Sequence, residues 1–300
     1  MKLRILKNEK GSVAILVMVM MTVLLASAGA AIDVGVVIME RTKLSNALDY
    51  AALAGAQELP DGKVKAVTVV EAYLNENDID PSTVQIDISD DGKTMTLVGT
   101  QEVGYTFLKV VGLDQTSVMA NSKIILGAAS TVKGGLRPYA VEDFDYQYGA
   151  LITLKQGAGS SYNGNFGVVA LGGTGSSVYE NNALYGYEGE IAVGDEISTE
   201  PGNMANVSNL LKTYINSIPH TFESHPRDSE RLWTVPLVDS LDVGGRDSVT
   251  VTGFAQVFVE DIDKKSGKIE IKARFVRFVV NGDIDTTLVD RGTFGVKLVN

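Results

Sequence analysis

The chain has 300 residues, no cysteine and a formal net charge of -11 at pH 7. Without cysteine it forms no disulfide, no thiolate zinc site and no cysteine nucleophile. Its one cluster of basic residues lies within residues 1–12, so the remainder is more acidic than the whole chain and repels phosphate backbones. We therefore expect no nucleic-acid partner.

A stretch without a charged residue over residues 13–32 predicts a membrane-spanning helix. Twenty helical residues reach about 30 Å, the thickness of the hydrocarbon core of a bilayer. Basic residues crowd the segment before it, and such a flank favours the cytoplasmic side. These residues are Lys2, Arg4, Lys7 and Lys10. We expect a single-pass cell-membrane protein whose N-terminus is cytoplasmic and whose bulk is extracytoplasmic.

The same segment also has the features of a cleaved signal peptide. Residues 26–28 and 28–30 both have the small-x-small form that signal peptidase accepts, after an apolar run of suitable length. Against cleavage, apolar residues continue as far as Met39 without a proline before Pro60. The retained anchor is the favoured interpretation, and secretion after cleavage is the alternative.

Small residues recur every fourth position at Ser27, Ala31 and Gly35. Such a row lets another helix approach closely in or beside a membrane, although small residues are also simply common in spanning helices. Asp33 lies within this region, where a carboxylate costs about 2.5–3.5 kcal/mol at the centre of a span and much less at its edge. We expect Asp33 to mark the outer interface, with a partner's cation as a further contact.

Helical periodicity continues beyond the span and predicts one helix to about Glu58. Residues 59–62, Leu-Pro-Asp-Gly, then stop it, because proline lacks an amide hydrogen and Asp-Gly favours a turn. We expect Asp33 and Arg41 to make polar contacts that set the register with a partner. The predicted helix-packing stripe consists of Leu44, Ala47, Leu48, Ala51 and Ala54.

Three strings in this segment resemble the N-terminal part of TadG-like proteins, of the TadE/TadG type, from Flp or Tad tight-adherence pilus systems. They are Gly-Ser-Val-Ala at 11–14, Ala-Ile-Asp-Val-Gly at 31–35, and Arg-x-x-Leu-x-Asn-Ala-x-Asp-x-Ala-Ala-Leu-Ala-Gly-Ala at 41–56. The resemblance implies an envelope protein that assists, anchors or decorates a pilus, with other pilus-assembly proteins as partners and no enzymatic activity. Leu16, five residues after Gly11, replaces the glutamate of a pilin cleavage site, so pilin-like processing is not expected.

The rest of the sequence predicts an α+β fold in two parts. A small α+β unit over residues 60–130 combines a helix at 63–75, a hairpin at 84–98 around an Asp-Gly turn, a short helix and a further strand. Glycine-rich boundaries then precede a β-rich domain over residues 134–300, with one packed helix and a long C-terminal hairpin. Residues 1–12 are the cytoplasmic tip, and residues 13–59 are the transmembrane and juxtamembrane helix.

Two loops superficially resemble ligand sites. Asp261 and Asp263 have the spacing of calcium ligands, but Lys264 and Lys265 follow where further oxygen donors are needed. The glycine-rich segment 172–177 lacks the lysine and the long helix of a phosphate-binding loop. We interpret both as turns, and we expect no metal and no cofactor.

The two histidines, His220 and His225, lie in a polar loop without a third ligand of suitable spacing. Ser224 beside His225 lacks the glycines of a nucleophile elbow, so a serine hydrolase gains no support. A chance pair of carboxylates remains the basis for a hydrolase hypothesis. We predict that the protein is not an enzyme.

The alternative function is a secreted or surface adhesion module that binds a glycan or a host surface. Its basis is a group of aromatic and amide side chains in the β-rich domain, since rings stack on sugars and amides bind hydroxyl groups. The group consists of Tyr179, Tyr185, Tyr187, Asn181, Asn182 and Glu188. Ordinary packing is the favoured interpretation of these residues.

Overall fold

The structure is a computed structural model that describes residues 9–155, 166–199, 205–241, 247–265 and 268–299. It confirms the predicted α+β fold class, with a long N-terminal helix followed by a β-rich region. The helices are α1 (Glu9–Glu58), α2 (Lys63–Glu76), α3 (Ser176–Tyr185) and α4 (Ala205–Asn216).

The described strands form three sheets. They are β1 (Val84–Ile88), β2 (Thr94–Gly104), β3 (Gln115–Ala129), β4 (Thr131–Lys133), β5 (Tyr139–Glu142), β6 (Leu151–Lys155), β7 (Phe166–Ala170), β8 (Glu190–Ala192), β9 (Glu196–Thr199), β10 (Leu232–Val238), β11 (Ser248–Lys265), β12 (Lys268–Val276), β13 (Phe278–Val279), β14 (Ile284–Asp285) and β15 (Thr293–Leu298). Short 3-10 turns occur at Leu59–Asp61, Pro81–Thr83 and Leu108–Val111.

Helix α1 is continuous over 50 residues and ends where the sequence predicts. A 3-10 turn with Pro60 in its first positions follows at once, and Gly62 then adopts a φ of 132° that other residues rarely adopt. The chain reverses there, and α2 packs back against the C-terminal half of α1. Gly55 permits this close approach, because a Cβ at that position would lie 2.4 Å from Val70 Cγ2.

The first sheet covers the C-terminal half of α1. Its strand order is β1-β2-β3-β15-β13, with β14 also paired to β3. The β2–β3 ladder extends from Thr94 opposite Ile125 to Gly104 opposite Gln115. The alternating burial of β2 and β3 gives each strand one face toward the helices, and these faces form the first core.

The second sheet has the order β10-β5-β7-β9-β11-β12-β6. An additional pairing of β10 with β11 joins β10, β5, β7, β9 and β11 into a ring. Long β11 makes this arrangement possible, because successive parts of it pair with β9, β10 and β12. The core beneath includes Trp233 and Phe275, both fully buried, and contacts α3 and α4.

The C-terminal end of the chain returns to the first sheet. β15 runs antiparallel to β3, with Val296 opposite Leu126, and Phe294 joins the first core. The first sheet thus includes strands from both sides of the predicted boundary at residues 130–134. The division into a unit at 60–130 and a domain at 134–300 stays a prediction.

Replacing Leu48 by alanine tests how strongly α1 is bound to the sheet. Leu48 is fully buried, so its truncation leaves a cavity and should lower the free energy of unfolding by about 2–5 kcal/mol. Tyr50, two residues along the same helix, is 59% exposed, and Tyr50→Ala should cost less than about 0.5 kcal/mol. Urea unfolding of the full chain in detergent, followed by circular dichroism, measures both. Equal losses in the two variants would show that α1 does not contribute a buried face.

Candidate functional site

The N-terminal half of α1 presents apolar side chains on every side. The large apolar residues between Val13 and Leu25 are exposed by 49% to 71% of their surface. Within the part of the chain that the structure describes, this is the one helix long and apolar enough to cross a membrane. A helix that is apolar all round is suited to lipid rather than to water. This segment is therefore the candidate membrane anchor.

Burial of α1 begins at Gly29 and Asp33 and becomes complete in its C-terminal half. Leu44, Leu48 and Ala51 are fully buried against the first sheet and α2. Ala47 is buried with them, whereas Ala54 is partly exposed. The predicted helix-packing stripe thus lies largely in the core of the chain itself, and a contact of these residues with another protein stays a prediction.

Asp33 joins α1 to the loop between β2 and β3. Its Oδ1 accepts a hydrogen bond from the Thr106 amide at 2.8 Å, and its Oδ2 accepts from the amides of Phe107 at 2.9 Å and Leu108 at 2.7 Å. These amides precede or open the 3-10 turn Leu108–Val111, where N–H groups have no partner within the turn. Asp33 is only 2% exposed. The carboxylate that sequence places at the membrane edge therefore caps a turn of its own chain.

Gly29, one helical turn before Asp33, completes this contact. A Cβ there would lie 2.8 Å from the Cβ of Phe107 and 2.9 Å from its Cγ. Only glycine allows Phe107 to pack so closely on the helix, so Gly29 and Asp33 together fix the loop. We call this contact the Asp33 latch: Gly29 and Asp33 on α1, and residues 106–108 on the loop.

The small-residue row lies away from the latch. Ser27, Ala31 and Gly35 are exposed, and a Cβ at Gly35 would meet no atom within 4 Å. The row is offset from Gly29 and Asp33 by two residues, or roughly 200° around the helix. The Ser27 hydroxyl donates to Val23 O at 2.7 Å, so it needs no other partner. This face of α1 is open, as is Arg41 further along the helix.

The residues predicted to orient the span are only partly placed. Lys2, Arg4 and Lys7 lie outside the described residues, and Lys10 lies in the first turns of α1. The predicted cytoplasmic location of this tip stays a prediction.

The tyrosines of the predicted β-rich domain do not share one face. Tyr179 is 2% exposed, and its hydroxyl lies 2.7 Å from that of Tyr139. Burial raises the pKa of Tyr139 to about 12, so this internal pair stays protonated at neutral pH. Asn182 is also buried and donates to Leu171 O at 2.7 Å, whereas Tyr185 is 66% exposed. These contacts fit the packing interpretation.

Helix α3 was not predicted from the sequence. It begins at Ser176, within the glycine-rich segment 172–177 that we interpreted as a turn. Gly172 and Gly175 have φ values of 69° and 112°, and a Cβ at Gly172 would lie 2.4 Å from a ring atom of Tyr187. The glycines therefore permit a tight entry into α3 and close packing of an aromatic ring.

The histidine loop forms one wall of a cleft of about 490 Å³ beside the end of α1. His220 Nδ1 lies 2.8 Å from Ser229 Oγ, but Ser229 is only 4% exposed and is out of reach of a substrate. His225 Nδ1 lies 3.1 Å from Thr221 O. These contacts order the loop and do not assemble a nucleophile with its base.

Arg227 links this loop to α1, which the sequence did not indicate. Its Nη1 donates to Gln57 O at 2.6 Å and lies 3.6 Å from Glu58, while its guanidinium lies over the ring of Phe278. A cation at the C-terminal end of a helix interacts favourably with the unpaired backbone carbonyls there. On the other side, Lys65 lies 2.5 Å from Glu58. Glu58 at the end of α1 thus pairs with Arg227 of the histidine loop on one side and with Lys65 of α2 on the other.

Asp261 and Asp263 lie in strand β11 and not in the turn that the sequence predicted, because the ladder with β12 continues to Lys265, and both residues have structural partners. Asn216 Nδ2 donates to Asp261 at 3.0 Å, and Lys212 Nζ lies 2.8 Å from Asp263. Both contacts attach α4 to β11. Gly267, which follows these residues in the sequence, lies outside the described residues.

Comparison with known protein families bears on the segment that contains the anchor and the latch. Residues 11–58 match the family model Tad, described as "Putative Flp pilus-assembly TadE/G-like". This match confirms the resemblance found in the sequence. It covers α1 almost from end to end, and the chain beyond residue 58 lies outside it. No curated protein and no solved structure compared with the chain gave a match.

Replacing Asp33 by alanine tests the latch. The amides of residues 106–108 lose their acceptor, so their hydrogen exchange should become faster by about tenfold or more. Glu40→Gln is the matched control, since Glu40 accepts only a 3.4 Å contact from Gln101 among the contacts described. Hydrogen exchange with mass spectrometry measures both. Unchanged exchange at residues 106–108 in Asp33→Ala would contradict the latch.

Proposed function

We propose that the chain is a non-enzymatic, single-pass, membrane-anchored envelope protein that assists, anchors or decorates a Tad/Flp-type pilus. The observation that carries this proposal is the coincidence of the family match at residues 11–58 with one unbroken helix, bare and apolar at one end and packed into the core at the other. Such a helix couples the membrane directly to the folded body. The function is mechanical and depends on binding.

The orientation rests on charge. The basic tip favours the cytoplasmic side, and the acidic body then lies on the outer face. In this arrangement the unit at 60–130 lies nearest the membrane. The domain at 134–300 extends from it through the cleft contacts of Arg227 and through the return of β15.

Partner helices dock, in this proposal, on the open face of α1. The row of Ser27, Ala31 and Gly35 lets a second backbone approach closely, and Arg41 supplies a polar contact above it. The buried stripe residues Leu44 and Leu48 act indirectly, because they hold the body against the same helix. Other pilus-assembly proteins of the Tad/Flp type are the expected partners.

The competing function is a secreted adhesion module that binds a surface glycan. It requires cleavage after Ala28 or Ala30, in the middle of a continuous helix. Cleavage after Ala30 would also separate Gly29 from its contact with Phe107. The retained anchor preserves both features, which supports the first function.

Replacing Gly35 by leucine tests docking on the open face. The chain leaves space at this position, so folding should be unaffected, whereas a partner helix would be displaced. Recovery of Tad/Flp pilus-assembly proteins with the full chain, from membranes of cells that make the pilus, should fall about tenfold, which corresponds to about 1.4 kcal/mol.

Ala26→Leu is the matched control, because it adds similar bulk at an exposed position away from the row. It should retain the partners. Equal recovery by Gly35→Leu and the unchanged chain would count against docking at this face.

A further inference from the structure

We propose that the tip of the β2–β3 hairpin, residues 105–114, inserts into the outer leaflet of the membrane beside α1. The protein would then contact lipid at two places, through the span and through this tip. The inference rests on the proposed membrane span of α1 and goes beyond the pilus function.

The path of the hairpin sets the level of its tip. β2 runs antiparallel to α1, so that its contacts move steadily toward the N-terminal, apolar end of the helix. In order along the chain, these contacts bring Met95 near Gly55, Gly99 near Leu48, Gln101 near Glu40, and Phe107 near Gly29. Gly29 lies inside the predicted span of residues 13–32. The tip therefore reaches the edge of the hydrocarbon region.

The tip is apolar where a soluble hairpin would be polar. Phe107, Val110, Val111 and Leu113 are 47%, 89%, 70% and 52% exposed. The turn at the opposite end of β2, residues 89–93, consists of Ser-Asp-Asp-Gly-Lys. The two turns that flank β2 thus differ in the solvent that they suit, and the apolar turn is the one beside the span.

Lipid is the occupant that the structure favours, because the patch continues the bare apolar surface of α1. Phe107 packs directly on Gly29, so no polar surface separates the two. The single cation of the tip, Lys109, is exposed and can extend toward phosphate headgroups while its stem stays in the apolar layer. This combination is typical of segments that enter the interface by about 5–10 Å.

Most backbone amides of the tip are hydrogen-bonded within the chain, which suits a weakly hydrated environment where an unpaired amide is costly. Asp33 accepts from the amides of residues 106–108. The amides of Tyr105, Val110, Gly112 and Leu113 donate to carbonyls within the tip at 2.9–3.2 Å. The latch therefore has a second consequence: it satisfies the amides that insertion would otherwise leave without water.

The test uses the absence of native cysteine, which makes any introduced cysteine a unique label. Val110→Cys carries the fluorophore NBD in the full chain, reconstituted in phosphatidylcholine vesicles that contain a lipid with a shallow doxyl quencher. Emission should shift to the blue and fall by about half or more on addition of the doxyl lipid. Val64→Cys is the matched control, since Val64 is 83% exposed on α2 and its neighbour Lys63 lies 3.7 Å from Asp90, in the turn at the opposite end of β2. Its emission should not change.

A third label at Leu24 separates failure of the tip from failure of the anchor. Quenching at Leu24→Cys with none at Val110→Cys would overturn the insertion while leaving the anchor intact. No quenching at either position would overturn the anchor and the insertion together.

A second reporter shows that the fluorophore itself does not drive the insertion. Leu113→Cys should be quenched in the otherwise unchanged chain and lose at least half of that quenching when Val110 and Val111 are both replaced by aspartate. Equal quenching with and without the aspartates would overturn the proposal.

Discussion

The arrangement of this protein depends on one buried carboxylate at the end of the apolar segment of α1. Asp33 lies at the end of the apolar span and accepts hydrogen bonds from three successive amides of a loop more than seventy residues away. The carboxylate needs partners because a buried charge without them is costly, and the amides need an acceptor because they open a turn. The same three hydrogen bonds meet both needs. These bonds fix the position of the β2–β3 hairpin along α1.

Helix α1 has a different environment along each half of its length, and its composition changes accordingly. Large apolar residues surround the segment from Val13 to Leu25, which the described parts of the chain leave exposed. Alanines and Gly55 line the buried face of the second half, where α2 and the first sheet approach closely, as at Gly55 and beside Gly99. Because the helix is unbroken at the change, no linker separates the apolar segment from the folded body.

Local features of the fold were predictable from local patterns. The end of α1 at Pro60, the hairpin around Gly92 and the long C-terminal hairpin each depend on residues within one or two turns of each other. Partners distant in the chain were not predictable. Nothing near Asp33 indicates that its acceptor oxygens meet the amides of 106–108, and the alternating pattern of β15 does not specify that it pairs with β3. Periodicity identifies which face of a helix or strand is buried, but it does not identify which part of the chain covers that face.

The candidate site shows the same limit. The span and its small-residue row could be predicted because length and spacing alone define them. The stripe containing Leu44 and Leu48 was expected to meet another protein, and the structure places it against the first sheet. A buried stripe has the same sequence signature whether its partner is a second chain or a later part of the same chain. The contact of Arg227 with the end of α1 had no signal in the sequence, because it depends on where the fold places that end of the helix.

The N-terminal sequence of the native protein in the membrane fraction tests the central claim most directly, which is that α1 stays whole and joins the membrane to the body. The account predicts a polypeptide that still contains residues 13–32 and resists extraction with alkaline carbonate. A mature N-terminus at Gly29 or Ala31, or recovery of the protein in the soluble fraction, would contradict it.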